Sequence, residues 1–180
     1  PRYVFFPHWN WKVGPEIFDA FECVVFHTAP LPYGRGGSPI QNLIIRGIKK
    51  SPVCALKMTG VLDGGPIYAS QEISLEGSID DIFARVAKCV EQLILKICKF
   101  NLIPLPQKGN VVTFKRLSYA DNRLFEEHSI EELYDRIRMV DGEGYDKAYI
   151  KFGEYKIELF GAKLLDNELI ANMRIVKSVD

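Results

Sequence analysis

The sequence has no excess of charge of either sign and no long apolar run. Its 23 basic and 23 acidic residues cancel to a formal net charge of +0 at pH 7. A balanced chain creates no overall field that would attract nucleic acid or an anionic membrane, so neither partner is expected. No apolar stretch approaches the roughly 20 residues that a helix needs to cross a bilayer, and no signal-peptide pattern is present.

Cysteine is scarce, and its spacing matches no metal site. The four cysteines are Cys23, Cys54, Cys89 and Cys98. They lack CxxC or other metal-ligand spacing, which favours buried thiols of a protein in the reducing cytoplasm. We therefore predict a cytoplasmic protein with no bound metal.

Apolar residues are plentiful enough for a folded core. The chain has 180 residues, of which 47% are hydrophobic and 12% aromatic, and this length can bury a core. It begins at Pro1 and enters an apolar strand at once, at residues 3–7. Because strands this apolar normally lie in the middle of a sheet, we expect further strands upstream of this sequence.

Strand and helix patterns alternate through residues 1–108. Strands are predicted at 3–7, 22–26, 53–59 and 67–73, with a short helix at 15–20. Residues 28–37 hold two prolines and three glycines, which predicts a loop without regular structure. The alternation predicts an α/β, Rossmann-like core with a mainly parallel sheet.

Two helix starts in this core carry capping signals. Ser38 is a predicted N-cap, with Pro39 as the first helical residue and Gln41 at the capping-box position. Ser78 with Asp81 predicts a second cap, opening a long amphipathic helix that ends near residue 100.

The pattern changes after a Pro- and Gly-containing linker at 101–109. We predict a small α+β C-terminal domain over residues 109–180. Its elements are a strand at 111–115, a helix at 130–140 with a Ser129/Glu132 capping box, and strands at 148–152, 155–159 and 169–176. The Gly153-Glu154 pair predicts a hairpin turn.

Polar side chains follow three of the predicted core strands. His8 and Asn10 follow the first, His27 the second, and Asp63 lies in the loop after the third. In open α/β sheets, ligands bind at the carboxyl ends of the strands. A histidine, an aspartate and an amide at one edge can act as an acid–base and oxyanion site. We therefore predict His27, Asp63, Asn10 and His8 as catalytic residues.

Two motifs around these residues resemble one known family. The segment HTAPLPYGRGGSPIQ at residues 27–41 resembles the His-x-Ser-x-Leu-Pro-x-x-Arg-Gly-x-x-Pro pattern of folate-dependent formyltransferases. LDGGPI at residues 62–67 resembles that family's Leu-Asp-x-Gly-Pro-Ile loop, and the 36-residue separation of His27 and Asp63 also suits it. The resemblance covers residues 3–100. It implies a methionyl-tRNA formyltransferase-like fold that uses N10-formyltetrahydrofolate as co-substrate.

The C-terminal segment IEELYDRIRMVDGEGYDKA, residues 130–148, is similar to the tail of nucleotide-sugar N-formyltransferases, such as that of the pseudaminic-acid pathway. This similarity implies that the acceptor is the amine of a nucleotide-linked amino sugar used in surface polysaccharides. An aminoacyl or peptidyl amine on tRNA or a carrier is the alternative acceptor. A non-catalytic folate- or sugar-binding relative is a further alternative. The sequence leaves open whether the chain forms a homodimer.

The resemblance also implies binding residues. Those expected to contact the folate are Trp9, Arg35, Met58, Leu62 and Gly65, and those expected to contact the acceptor are Tyr33, Gly34, Gly36 and Gly37. Each has a structural alternative: the tryptophan could fill the core, the arginine could be a solvated loop cation, and the glycines could serve turn geometry alone. The aspartate of the pair could likewise be an Asx-turn residue.

Two positions depart from the family pattern. The family usually has Asn two residues before the histidine, where its amide helps to hold the formyl oxygen, and this chain has Val25 there. Ala29 replaces the motif's Ser. We expect Asn10 or His8 to supply the missing donor, although both could simply hydrogen-bond loop backbone.

Overall fold

The computed structural model describes residues 2–177. Pro1 and residues 178–180 lie outside this range. The first residue of the predicted domain 1–108 and the last three of the predicted domain 109–180 are therefore outside the described residues. The helices and strands, in chain order, are β1 (Tyr3–Phe6), α1 (Pro15–Phe18), β2 (Glu22–Thr28), β3 (Tyr33–Gly36), α2 (Pro39–Ile44), β4 (Lys50–Lys57), β5 (Ile67–Ser74), α3 (Ile79–Phe100), β6 (Val112–Phe114), α4 (Ile130–Arg138), β7 (Ala148–Phe152), β8 (Tyr155–Leu165) and β9 (Glu168–Lys177).

The core sheet has four strands in the order β1-β2-β4-β5. β1 pairs with β2 in parallel, whereas the β2–β4 and β4–β5 pairs are antiparallel. The α/β class with a small C-terminal sheet is confirmed, but the described sheet is mixed rather than mainly parallel. Only the loop 58–66 joins β4 to β5, and a parallel crossover needs a dozen or more residues.

β4 and α3 form the centre of the core. Residues 53–56 of β4 are all buried, and α3 packs its apolar stripe against the core. The side chain of Ser78 accepts from the Asp81 backbone N–H, and the Asp81 carboxylate accepts from the Ser78 backbone N–H. The predicted capping box and the predicted helix end near residue 100 are therefore confirmed. Within residues 2–177, no helix combines the length and apolar composition needed to cross a bilayer.

The segment predicted as an irregular loop at 28–37 contains a strand, so that prediction is wrong for residues 33–36. This strand, β3, pairs in parallel with β6. Gly36 makes the pairing possible, because its φ is +101° and a Cβ there would lie 2.5 Å from the Phe114 carbonyl oxygen. The predicted positions of Ser38 as N-cap and Pro39 as the first helical residue of α2 are confirmed, but the predicted capping box is wrong: Ser38 has a left-handed backbone, and its hydroxyl accepts from the Leu117 N–H instead.

The C-terminal sheet has the order β7-β8-β9, with antiparallel pairs throughout. The predicted Ser129/Glu132 capping box and the hairpin at Gly153-Glu154 are both confirmed. A buried ion pair joins Arg138 of α4 to Asp135 at 2.7 Å, and Arg138 also donates to the Gly77 carbonyl at 2.9 Å. The bond to Gly77 fixes α4 to the turn before α3, and the ion pair holds the Arg138 side chain in place for it. The division at residue 108 stays a prediction, since β6 pairs with the core strand β3.

Candidate active site

His27 lies in β2, one residue before the strand ends, and its side chain is 7% exposed. Its backbone is opposite Cys54 in β4. The ring nitrogen Nε2 lies 2.7 Å from the Gly34 carbonyl oxygen. A carbonyl can only accept, so this bond requires the proton on Nε2. The bond leaves Nδ1 facing the loop between β4 and β5.

Asp63 occupies that loop and faces the histidine. Its Oδ2 atom lies 3.5 Å from Nδ1 of His27, and its side chain is 12% exposed. The same Oδ2 accepts from the Gly36 backbone N–H at 2.9 Å. The carboxylate therefore links the loop 58–66 to β3. Within residues 2–177 no bond from it closes an Asx turn. Asp63 has a φ of +48°, a left-handed conformation that aspartate tolerates better than most residues.

Both ring nitrogens of His27 consequently face acceptors, the Gly34 carbonyl and the Asp63 carboxylate. Only a doubly protonated ring can donate to both at once, and a singly protonated ring keeps one nitrogen as an acceptor. A ring held in this way can exchange a proton with a bound amine and can stabilise developing negative charge.

The glycine-rich segment 33–37, which contains β3, holds the pair through its backbone. Gly34 supplies the carbonyl that fixes the imidazole, and Gly36 supplies the N–H that fixes the carboxylate. A Cβ on Gly34 would lie 2.8 Å from the Phe114 ring, and one on Gly37 would lie 2.5 Å from the Arg116 Cα. Tyr33 packs edge-on against the same Phe114 ring. Binding of the acceptor by this segment stays a prediction.

Arg35 has a protein partner that the sequence did not reveal. Its Nε and Nη2 atoms donate to Oε1 of Gln107, at 3.1 and 2.7 Å. Gln107 in turn donates from Nε2 to the backbone oxygens of Asp63 and Gly65, at 2.7 and 2.9 Å. The contacts join residues 72 and 42–44 positions apart, so no local pattern could have identified Gln107.

His8 and Asn10 follow β1 but make different contacts. Phe6 is opposite Val25 in the parallel β1–β2 pair, so His8 and His27 each lie two residues beyond the same register position. The exposed His8 ring packs edge-on against Phe83. In the part of the chain that the structure describes, no hydrogen bond joins His8 or Asn10 to His27 or Asp63. Their role as oxyanion donors stays a prediction.

The remaining predicted folate residues lie on two loops. Trp9 is 46% exposed and packs edge-on against Phe6. Leu62 is 72% exposed, next to the nearly buried Asp63. Met58 is half-buried, and its backbone N–H donates to the Cys23 carbonyl. Gly65 is buried, and a Cβ there would lie 1.7 Å from the Lys57 carbonyl oxygen.

Val25 lies on the same face of β2 as His27, since side chains two residues apart in a strand point the same way. It is half-buried and its neighbours across the sheet are Phe6 and Leu56. An amide at this position would face the same side of the sheet as the imidazole. Valine offers no hydrogen bond there.

The C-terminal motif reaches the same part of the core. Nε2 of the buried Gln41, in α2, lies 3.4 Å from the Tyr145 hydroxyl, to which it donates. Burial raises the pKa of Tyr145 above its ordinary value. Gln41, which contacts Tyr145, lies five residues along the chain from Gly36, whose N–H holds Asp63.

Together these features define a class of protein: an α/β fold with a nearly buried His–Asp acid–base pair that is held by the glycine-rich segment 33–37. A family model described as the methionyl-tRNA formyltransferase C-terminal domain matches residues 119–176. The solved methionyl-tRNA formyltransferase from Clostridium thermocellum is 40% identical, with a TM-score of 0.95 over 99% of this chain and 79% of that one. The chain belongs to the formyltransferase family.

More distant relatives agree with this assignment. The methionyl-tRNA formyltransferase of Sulfurihydrogenibium sp. (strain YO3AOP1) is 28% identical over 171 residues, 89% of this chain and 54% of the relative. The chain thus spans about half the length of the curated relatives it matches. The formyltransferase PseJ from Anoxybacillus kamchatkensis, solved with a UDP-linked formamido sugar and tetrahydrofolate, is 16% identical. Its TM-score of 0.55, over 63% of this chain and 64% of that one, shows a likeness of fold alone.

Proposed function

We propose that this chain carries the catalytic site of an N-formyltransferase that takes its formyl group from N10-formyltetrahydrofolate. The observation that carries the proposal is the His27–Asp63 pair, with 3.5 Å between Nδ1 and Oδ2 and both side chains nearly buried. The pair lies between the two loops whose sequences resemble the family motifs. Membership of a family of folate-dependent one-carbon transferases supports the same conclusion.

The proposed chemistry assigns a proton-transfer role to His27. N10-formyltetrahydrofolate, when bound, supplies the formyl group and leaves as tetrahydrofolate. His27 accepts the proton that the attacking amine loses and returns one to the leaving nitrogen. Asp63 orients the imidazole and stabilises its charged form while the proton is in transit. Positioned proton transfer of this kind typically contributes on the order of 10²–10⁴-fold to rate.

Exposed apolar side chains beside Asp63 suit the flat ring of a folate. Leu62 and Val61, in the loop that carries the aspartate, are 72% and 60% exposed. Trp9, 46% exposed, offers an aromatic face after β1. Apolar side chains with a few placed polar groups are typical of small-molecule sites. We infer that Leu62 and Trp9 hold the folate while the backbone of Gly65 shapes its loop.

For the acceptor we favour an aminoacyl amine on tRNA. This choice is supported by the relative from Clostridium thermocellum, a methionyl-tRNA formyltransferase of 40% identity that this chain covers to 79%. The model that matches residues 119–176 describes the same class of enzyme. The balanced net charge of +0 gives only weak opposition, since a local basic patch suffices for contact with phosphates.

A nucleotide-linked amino sugar is the second candidate acceptor. It is supported by the similarity of residues 130–148 to the tails of sugar N-formyltransferases. Such enzymes share the fold at low identity, as the 4-N formyltransferase from Francisella tularensis does at 15%. A non-catalytic relative is the third alternative, and the absence of a donor at Val25 is what supports it.

One experiment separates these proposals. The chain is incubated with N10-formyltetrahydrofolate labelled in the formyl group and with either methionyl-tRNA or a UDP-linked 4-amino sugar. We expect label on methionyl-tRNA, and none with a His27→Gln variant that melts at the wild-type temperature. Label on the sugar alone would mean that the acceptor is the amino sugar and not methionyl-tRNA. Folate binding without transfer to either would support the non-catalytic alternative.

A further inference from the structure

The side chain of Gln107 bridges the two loops that carry the site. It comes from the segment between α3 and β6 and is half-buried. Its Nε2 atom donates to the backbone oxygens of Asp63 and Gly65, and its Oε1 atom accepts two bonds from Arg35. One amide group thereby holds the loop 58–66 against β3.

The hydrogen-bonding capacity of this amide is fully used. A glutamine amide has two N–H donors and an oxygen with two lone pairs, and all four have partners here. The fork of Arg35 reaches this one oxygen through both Nε and Nη2 and so fixes its position. Both N–H groups then point at the two carbonyls of the loop. Neither a shorter asparagine nor a carboxylate can reproduce this set.

The bonds to the loop go to the carbonyl of Asp63 itself and to that of Gly65, two residues further along the chain. Asp63 has a positive φ of +48°, a conformation that an L-residue keeps only when its surroundings hold it there. The bond at the Asp63 oxygen fixes the peptide unit that directly follows this residue, and the one at the Gly65 oxygen fixes the end of the same turn. The carboxylate itself is held by the Gly36 N–H and lies 3.5 Å from His27.

We propose that Gln107 is a positioning residue: it locks the backbone of Asp63 and so sets the distance between the Asp63 carboxylate and the His27 ring. Gln107 acts through this loop and through Arg35, whose Nε and Nη2 donors are thereby engaged within the protein. The proposal rests on the formyl-transfer function for its kinetic consequence, but its structural consequence is independent of any substrate.

The test compares three single-site variants of this chain with wild type. Gln107→Met keeps the volume of the side chain and removes every polar contact. Gln107→Glu keeps an acceptor for Arg35 and removes both donors to the loop. Gln92→Met is the matched control, because Gln92 accepts from Gln71 on the exposed surface of α3, away from the site. The readouts are the hydrogen-exchange rate of the Gly36 amide by NMR, the melting temperature, and the KM and kcat for formyl transfer.

Both Gln107 variants should release the Asp63 carboxylate from Gly36, so the Gly36 amide should exchange at least about tenfold faster. A displaced general acid–base partner costs on the order of 10²-fold in kcat, and KM for the folate should rise as well, because Leu62 lies on the released loop. Gln107→Glu should show these effects with little loss of melting temperature, because the Arg35 contact remains. Gln92→Met should match wild type in every readout.

Two results would overturn the proposal. A Gly36 amide that exchanges at the wild-type rate in Gln107→Met would show that the Asp63 loop is held without the glutamine. Wild-type kcat in Gln107→Glu, with its Gly36 amide deprotected, would show that the loop position does not matter to the reaction. If wild type itself transfers no formyl group, the proposed function is wrong, and the exchange comparison still decides whether Gln107 positions Asp63.

Discussion

Oδ2 of Asp63 lies 3.5 Å from Nδ1 of His27, and the same oxygen accepts the Gly36 N–H at 2.9 Å. One carboxylate oxygen thus contacts both the histidine ring and the backbone of the glycine-rich segment 33–37. A change at Asp63 should therefore affect the chemistry and the loop separately, depending on which property of the carboxylate is removed.

Asp63→Asn removes the charge and keeps an oxygen that can accept from Gly36. We expect kcat for formyl transfer to fall by about 10²–10³-fold, since a neutral amide no longer stabilises a charged His27. The melting temperature should change little because the bond to the loop is retained. The matched control is Asp166→Asn, in the exposed turn between β8 and β9. An Asp63→Asn enzyme with wild-type kcat would exclude the pair from the mechanism.

The His–Asp pair was predictable because its signals are local. Each residue follows a predicted strand, and each lies in a short motif with few interpretations. The capping boxes at Ser78 and Ser129 were predictable for the same reason, since three-residue spacing is enough to specify them. Periodicity likewise sufficed for α3 and for the C-terminal hairpin.

What the sequence did not reveal depends on contacts between distant segments. β3 pairs with β6, and its glycines, together with the prolines just before it, argued against any strand. The direction of β4 follows from the path of the chain after α2, which periodicity does not encode. Gln107 was missed because its partners lie 42 to 72 residues away. Such contacts are fixed by tertiary packing rather than by local propensity.

Val25→Asn restores the amide that the family pattern has two residues before the histidine. Its side chain lies on the His27 face of β2, where it can donate to a developing oxyanion. A missing oxyanion donor typically costs on the order of 10²–10³-fold in turnover, so we expect kcat to rise at least about tenfold in this variant. The half-buried amide should lower stability by about 1–3 kcal/mol. The measurements are kcat and urea unfolding.

The companion variant for this test is Asn10→Ala. If Asn10 already supplies the donor, Val25→Asn leaves kcat unchanged and Asn10→Ala lowers it. If no residue supplies it, Val25→Asn raises kcat and Asn10→Ala leaves kcat unchanged. Asn10 makes no hydrogen bond to the pair within the described residues, which is why we expect the gain from Val25→Asn.

Gly65→Ala should displace the loop 58–66, which carries Asp63. The added Cβ would lie 1.7 Å from the Lys57 carbonyl oxygen, at a point where backbone and not a flexible side chain stands in the way. Overpacking of this kind typically costs about 1–3 kcal/mol, and the displaced loop should carry Asp63 away from His27. Gly60→Ala, in the same loop, is the control because a Cβ there meets nothing within 4 Å. Equal kcat values for the two variants would contradict this account.

Ser78→Ala removes the cap of α3, the longest helix of the core. Loss of a serine N-cap typically costs about 0.5–2 kcal/mol of stability, because the backbone N–H of Asp81 loses its acceptor. The exposed Ser70 of β5 provides the control, and Ser70→Ala should stay close to wild type in urea unfolding. An equal midpoint for Ser78→Ala and Ser70→Ala would mean that tertiary packing alone determines the start of α3.

The same cap should make stability depend on pH. The hydroxyl and backbone N–H of Ser78 hold the pKa of Asp81 below its ordinary value of 3.8. Because that pKa is lower in the folded than in the unfolded chain, the contribution of the carboxylate is complete well above pH 3.8 and decreases as the pH falls through the lowered value. Asp81→Asn should therefore flatten this acid-side decrease in urea-unfolding midpoints measured between pH 6 and pH 2, whereas the exposed Asp166→Asn should leave it unchanged. A decrease of the same size in Asp81→Asn would assign the acid sensitivity to other carboxylates.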